Sequence, residues 1–147
     1  NSKKHTQKAR ISNIGGHRFD VRLCYYVVEF FVHLSFCKKC TFRFADYISM
    51  QTKNDSMQRM LLTILHDMPA TKATINTAFL NFCLDKSSAP TTPTGIRMLC
   101  IKLAYRHCVL YPELLSELVT ILQFMDREML SPGVACVRRK ILNKHNI

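Results

Sequence analysis

The sequence has no tryptophan and only ten acidic residues, against 21 lysines and arginines. It also lacks the short patterns that mark common catalytic or nucleotide-binding sites, since no GxSxG, P-loop, GxGxxG or HExxH motif occurs. Asp55, Asp67 and Asp85 are scattered and fall at the ends of predicted helices, where capping accounts for them. We therefore expect a protein that is not an enzyme and that needs no cofactor.

A long uncharged apolar segment is also missing. The best candidate for a membrane span, residues 19–36, is interrupted by Asp20, Arg22, Glu29 and His33. A spanning helix needs about 20 largely uncharged residues. The first 16 residues include basic residues but no apolar run after them, so they do not resemble a signal peptide. We expect a cytoplasmic protein with no membrane segment, and, because the chain does not begin with Met, we expect the native N-terminus to be missing.

The chain has 147 residues with a formal net charge of +11 at pH 7, and 48% of the residues are hydrophobic. This length suits one domain with a real core, and this hydrophobic content is too high for a disordered chain. We expect one domain over residues 1–147, in which residues 1–17 form a partial or frayed N-terminal helix. An excess of positive charge can indicate a polyanionic partner, and it equally keeps a protein soluble.

The seven cysteines do not indicate a disulfide framework. Their number is odd, and the chain is too large and too apolar for a small disulfide-bonded scaffold. Four of them lie inside apolar helical patterns: Cys24, Cys83, Cys100 and Cys108. Cysteine acts as a small hydrophobe in such positions, so we expect a reduced protein.

Apolar residues recur at helical spacing on both sides of Pro112. The upstream stripe consists of Ile96, Leu99, Cys100, Leu103, Ala104 and Cys108, and the downstream stripe of Leu114, Leu115, Leu118, Val119, Leu122 and Met125. Further apolar residues widen the upstream stripe to a second face, which predicts a helix packed between neighbours. Thr92 and Pro93 predict its N-cap and first turn. The short linker allows only an antiparallel helical hairpin, with Leu99, Leu103, Leu115, Leu118 and Leu122 in the core.

The helical pair recurs along the chain. Hydrophobic spacing predicts helices near residues 20–36, 41–51, 55–67, 72–85, 93–109, 112–128 and 132–144, with a further one near 3–13. The first helices of the pairs begin at Asp20, Asp55, Pro93 and Pro132, at intervals of 35, 38 and 39 residues. The triplets that begin at Arg22, Arg59 and Arg97 recur with similar spacing. A period in this range is the mark of a helical solenoid.

Four segments carry a family resemblance: DSMQRMLLTIL, TPTGIRMLCIKLAY, YPELLSELVTIL and SPGVACVRRKIL. Through them the stretch from Asp55 to Asn143 resembles the C-terminal part of HEAT-like (armadillo-type) repeat proteins of the small bacterial kind. The resemblance implies an all-α fold of antiparallel helical hairpins stacked as a short right-handed superhelix. The repeat period and the absence of catalytic patterns favour a non-enzymatic scaffold that binds a protein partner through an extended helical surface.

A nucleic-acid-binding module, related in fold to DNA alkylation repair proteins, is the alternative that the net charge suggests. Its candidate residues are the basic cluster Arg138, Arg139, Lys140 and Lys144. HEAT-like DNA glycosylases bind on a concave face built from the second helix of each pair. Those helices are predicted here at 41–51, 72–85 and 112–128, and together they carry an excess of acidic residues. The absence of tryptophan for base stacking also weakens this alternative.

His33, Cys37 and Cys40 form an H-x3-C-x2-C pattern, which offers three possible zinc ligands. A structural zinc site needs four ligands, and no second CxxC pair occurs. A thioredoxin-like motif would need a neighbouring β-α-β pattern, which the sequence lacks. We therefore predict no metal site, and we interpret residues 36–42 as a polar corner between two helices with two ordinary thiols.

Overall fold

The structure is a computed structural model that describes residues 38–69 and 76–146. These residues form six α-helices and no strand. In chain order the helices are α1 (Lys38–Gln51), α2 (Asp55–Asp67), α3 (Thr77–Ser88), α4 (Thr94–Cys108), α5 (Pro112–Phe124) and α6 (Pro132–Lys144). The predicted all-α architecture of stacked helical pairs is confirmed. The predicted helices near 3–13 and 20–36 lie outside the described residues, and the single domain over 1–147 stays a prediction.

The helices form two rows. Helices α2, α4 and α6 pack against one another in that order, and α1, α3 and α5 make a second row with looser mutual contacts. The central helix, α4, packs against α2, α3, α5 and α6. This explains why α4 is apolar on two sides, and it confirms the prediction that this helix lies between neighbours.

Local signals define most helix starts. The Asn54 side chain accepts a hydrogen bond from the Met57 backbone N–H at 3.0 Å and caps α2, and Asn76 caps α3 in the same manner. Helices α5 and α6 begin with Pro112 and Pro132, whose ring already holds the helical φ and whose missing N–H has no partner to lose at a first turn. Because these signals are local in sequence, the predicted starts at residues 55, 112 and 132 are confirmed.

The predicted start of α4 is wrong by one residue. Pro93 occupies the N-cap position with an extended ψ of 137°, and the first helical residue is Thr94. Thr92, which we predicted as the N-cap, is buried in the preceding turn, where its backbone N–H donates to the Ala89 carbonyl at 3.2 Å. The turn holds Thr92 away from the helix end, so its hydroxyl does not cap α4.

Further boundaries differ from the predictions. The helix expected near residues 72–85 is α3 over Thr77–Ser88, with the Asn76 side chain as its N-cap. Helix α5 ends at Phe124 and not near residue 128, because the Asp126 carboxylate accepts a hydrogen bond from the Glu128 backbone N–H at 3.0 Å, a local turn that competes with the helix. The predicted corner over residues 36–42 is wrong for its described part, since residues 38–42 lie in α1. No proline or glycine in this segment stops a helix.

One hydrophobic cluster joins all six helices. Leu103, Leu118 and Leu122 are fully buried in it, as predicted. Leu99 and Leu115 are only partly buried, which corrects their assignment to the core. Leu99 lies at the edge of the buried arc of α4, and Leu115 lies in the first turn of α5, so neighbouring helices cover each of them on one side only.

Candidate partner-binding site

Large apolar side chains are exposed at the end of α5 and in the connection from α5 to α6, residues 125–131. Phe124, the last residue of α5, is 85% exposed, and Met129 is 71% exposed. The early end of α5 at the Asp126 turn places both of them at the surface. Monomeric proteins rarely leave such residues grouped on the surface without a use.

These side chains border a surface groove of about 520 Å³, which we call the apolar groove. Its lining is predominantly apolar and comes from the end of α3, the second half of α5 and the α5–α6 connection. The lining residues are Ser88, Pro90, Arg97, Thr120, Ile121, Phe124, Met125, Asp126, Met129 and Leu130. Asp126 is the only acidic residue among them.

Arg97 supports the apolar groove from within. It is buried, and its Nε donates a hydrogen bond to the Ser87 carbonyl at 2.7 Å, in the last turn of α3. Burial lowers the pKa of the Arg97 guanidinium below its ordinary value. This contact ties α4 to the end of α3 and so holds one wall of the groove in place.

A second groove of about 370 Å³, which we call the arginine groove, lies beside the first. Three arginines line it together with mainly apolar residues of α6: Arg127, Leu130, Pro132, Ala135, Cys136, Arg138, Arg139, Leu142 and Asn143. Leu130 lines both grooves, so they adjoin at this residue. An apolar surface therefore passes directly into a basic one.

The three arginines differ in their surroundings. Arg138 is buried, and its guanidinium donates to the backbone carbonyls of Leu122 and Gln123 at the end of α5. Burial, with a further contribution from the Arg127 charge, lowers the pKa of Arg138. Arg127 and Arg139 are exposed to solvent. No carboxylate within residues 38–69 and 76–146 forms a salt bridge with these arginines.

The nucleic-acid candidates of the sequence are therefore not equivalent. Arg139, Lys140 and Lys144 are exposed on α6, and the Lys144 ammonium lies 5.6 Å from the centre of the Tyr105 ring. Arg138, their neighbour in sequence, is engaged by carbonyl groups and is largely closed to solvent. Three of the four are therefore exposed on α6, whereas Arg138 supports the end of α5.

A family model described as a HEAT repeat domain matches residues 44–145 of the chain. The chain belongs to the HEAT repeat domain family. The match runs from α1 to α6, so it extends further towards the N-terminus than the segment that carried the sequence resemblance. Comparisons with curated proteins and with solved structures found no match. No helix in the described part of this HEAT chain is long and apolar enough to cross a membrane.

Three of the helices share a buried hydrogen bond that the sequence repeats did not predict. In each of α2, α4 and α6 a buried polar side chain donates to a carbonyl in the last turn of the preceding helix. In α2, Gln58 donates to the Ser49 carbonyl at 2.9 Å. Arg97 in α4 and Arg138 in α6 make the equivalent contacts, to the carbonyls of Ser87 and Leu122. The sequence triplets aligned Arg59 with Arg97, but Arg59 is exposed. The signal that could have found Gln58 is a polar residue on the buried face of an amphipathic helix.

The buried cysteines of the HEAT core behave as small hydrophobes, as predicted for three of the four. Cys83, Cys100 and Cys108 are free thiols in the core, and Cys24 lies outside the described residues. Burial raises the pKa of Cys108 to about 11, with a smaller contribution from Glu117. Burial likewise raises the pKa of Cys83, and its neighbour Cys100 adds to the effect. Such thiols are poor nucleophiles and poor metal ligands.

The zinc candidates fall mostly outside the described residues. His33 and Cys37 lie there, and Cys40 lies in the first turn of α1. Within the described ranges, no group of three or more His, Cys, Asp or Glu side chains is placed to hold a metal ion. The absence of a metal site at His33, Cys37 and Cys40 stays a prediction.

Proposed function

We propose that this HEAT repeat chain is a non-enzymatic scaffold that binds a protein partner at the apolar groove. The observation that supports the proposal is the exposure of Phe124 and Met129 beside a groove of about 520 Å³. Aromatic residues and methionine are enriched at protein interfaces, and a few of them supply most of the binding energy when a partner covers them. HEAT repeats supply a rigid helical surface for such contacts.

Peptide display on the purified chain tests this proposal. We expect the selected peptides to bind the unmodified chain and to lose at least about tenfold in affinity when Phe124→Glu or Met129→Glu places a charge in the groove. Tyr47→Glu is the matched control, since Tyr47 is also exposed, at 58%, but lies on α1 at the other end of the stack. Selected peptides that bind the groove variants as tightly as the unmodified chain contradict the proposal, and so does a selection without binders.

Nucleic-acid binding is the second candidate function. Its support is the row of exposed basic residues on α6, namely Arg139, Lys140 and Lys144, and the absence of acidic residues from that helix. Acidic residues are also exposed nearby in the chain, with Glu128 on the connection before α6 and Glu113 and Glu117 on α5. If nucleic acid binds, its affinity falls with salt, and Arg139→Ala with Lys140→Ala reduces the slope by about 1–2. Absence of binding to DNA and RNA duplexes at low salt eliminates this candidate.

A cytoplasmic location belongs to the same proposal. Cys83, Cys100, Cys108 and Cys136 are free thiols, and the first three are buried. A reducing compartment keeps such thiols free. Fractionation of cells that produce the tagged chain tests the location, and recovery of the chain in a membrane or secreted fraction contradicts it.

A further inference from the structure

We infer that the partner segment is acidic: a bulky apolar side chain enters the apolar groove, and neighbouring carboxylates contact Arg127 and Arg139 in the arginine groove. The inference rests on the proposed function and adds the chemistry of the partner to it. Its basis is an apolar groove that adjoins, at Leu130, a groove whose arginines pair with no carboxylate of the described residues.

Because the two grooves adjoin at Leu130, the apolar contact and the carboxylate contact lie close together. Leu130 lines both grooves, while Met129 borders the first and Arg127 borders the second, so the connection between α5 and α6 contributes to each. A short peptide segment that places one side chain beside Met129 therefore passes over Arg127 within a few residues. A single bound segment can make both contacts at once.

The charges of the arginine groove favour carboxylates. Arg127 and Arg139 are exposed, and no acidic side chain of the described residues pairs with either of them. Arg138 adds a buried positive charge to the floor, held there by the Leu122 and Gln123 carbonyls. Guanidinium groups bind carboxylates through two parallel hydrogen bonds, which fixes orientation as well as charge.

The acidic residue of the apolar groove determines which part of the bound segment carries the negative charge. Asp126 lines the apolar groove, and its carboxylate already accepts the Glu128 backbone N–H at 3.0 Å. Negative charge therefore lies at the apolar groove, and positive charge lies beyond Leu130. Acidic residues of the partner are repelled at the first groove and attracted at the second.

The same arrangement favours a peptide over nucleic acid. A phosphate backbone needs a continuous basic track, and Asp126 and Glu128 interrupt the track on this edge. A nucleic acid also makes little use of a groove lined by Ile121, Met125 and Leu130, since base stacking uses flat aromatic or guanidinium faces.

Peptide display on charge-reversed protein tests the inference. On the unmodified chain we expect peptides with an acidic residue within a few positions of a bulky apolar one, and their affinity should fall as salt rises. Arg127→Glu with Arg139→Glu should weaken those peptides at least about tenfold and should select peptides with basic residues in place of the acidic ones. Arg43→Glu with Lys53→Glu, two exposed residues of α1 and the connection after it, is the control with the same change in net charge.

The outcomes separate this inference from the proposed function. Peptides that lose binding with Phe124→Glu but lack acidic residues and tolerate the double arginine reversal contradict the inference alone. A selection without any peptide that depends on the groove contradicts both. A DNA duplex that displaces the selected peptides and binds more tightly than they do, with the same sensitivity to Arg127 and Arg139, also overturns the inference, since it assigns the surface to nucleic acid.

Discussion

The two connections on either side of α5 differ in length, in backbone hydrogen bonding and in the surface that they expose. The connection from α4 consists of residues 109–111, and the backbone N–H groups of Val109, Leu110 and Tyr111 each donate to a carbonyl at the end of α4. In the connection to α6, residues 125–131, only the Leu130 backbone N–H donates to a backbone carbonyl, that of Arg127 at 3.4 Å. The end of α4 is thus closed by backbone hydrogen bonds, whereas the end of α5 is held by side chains.

This difference assigns separate roles to the two ends of α5. The short connection continues the α4 helix by almost a turn and leaves little room for a ligand. The long connection leaves carbonyl groups of α5 without backbone partners, so Arg138 approaches and binds them, and grooves form around it. Arg138 therefore has two roles: it donates to the carbonyls at the end of α5, and it lines the arginine groove there.

The largest expected loss of stability comes from the centre of α5, the helix that lies between the two connections. Leu118 is fully buried, so Leu118→Ala should lower the free energy of unfolding by about 2–5 kcal/mol through lost burial and a residual cavity. Chemical denaturation followed by circular dichroism measures the change. Leu115→Ala is the matched control on the same helix, and its partly buried side chain should cost clearly less. Equal costs for the two leucines contradict the observed packing.

The next effect separates Arg138 from Arg139. Arg138→Ala leaves the Leu122 and Gln123 carbonyls without their donor and should cost about 1–3 kcal/mol of stability, measured by the same denaturation. Arg139→Ala should change stability by no more than about 0.5 kcal/mol, because its side chain is exposed. Arg139→Ala should instead weaken acidic peptides. A larger stability loss for Arg139 than for Arg138 refutes the division between structural and binding arginines.

The smallest effect concerns Cys108, the last residue of α4. Cys108, before the short connection, has its pKa raised to about 11 by burial, so the folded state favours the neutral thiol. Its stabilising contribution is complete below pH 9, the ordinary thiol value, and is lost as pH rises towards about 11. Thermal unfolding between pH 8 and 11 should show a steeper loss for the unmodified chain than for Cys108→Ala. Equal slopes contradict this assignment.

Thiol labelling extends the same comparison to the long connection. Cys136 lines the arginine groove and is partly exposed, whereas Cys108 is fully buried. Iodoacetamide should therefore modify Cys136 well before Cys108 in the folded chain, as mass spectrometry of tryptic peptides would show. Faster labelling of Cys108 would mean that the α4–α5 end opens more readily than the α5–α6 end.

Sequence patterns predicted the helices better than the site. The starts of α2, α5 and α6 follow from an aspartate after a capping asparagine and from two prolines, signals that act within a few residues. The end of α5 was predicted about four residues too late, because only the turn at Asp126 stops the helix. That error hid the apolar groove, since the prediction continued the helix over residues 125–128.

The sequence by itself determined an all-α repeat fold, because hydrophobic period, caps and prolines are local and recur every 35 to 39 residues. Tertiary structure alone decided which of two adjacent arginines supports α5 and which faces solvent. Arg138 and Arg139 have the same charge and nearly the same sequence environment, and only the position of the α5 carbonyls distinguishes them. Those carbonyls come from a helix that ends 14 residues earlier in the chain. Their meeting with Arg138 is a product of packing, which no local pattern contains.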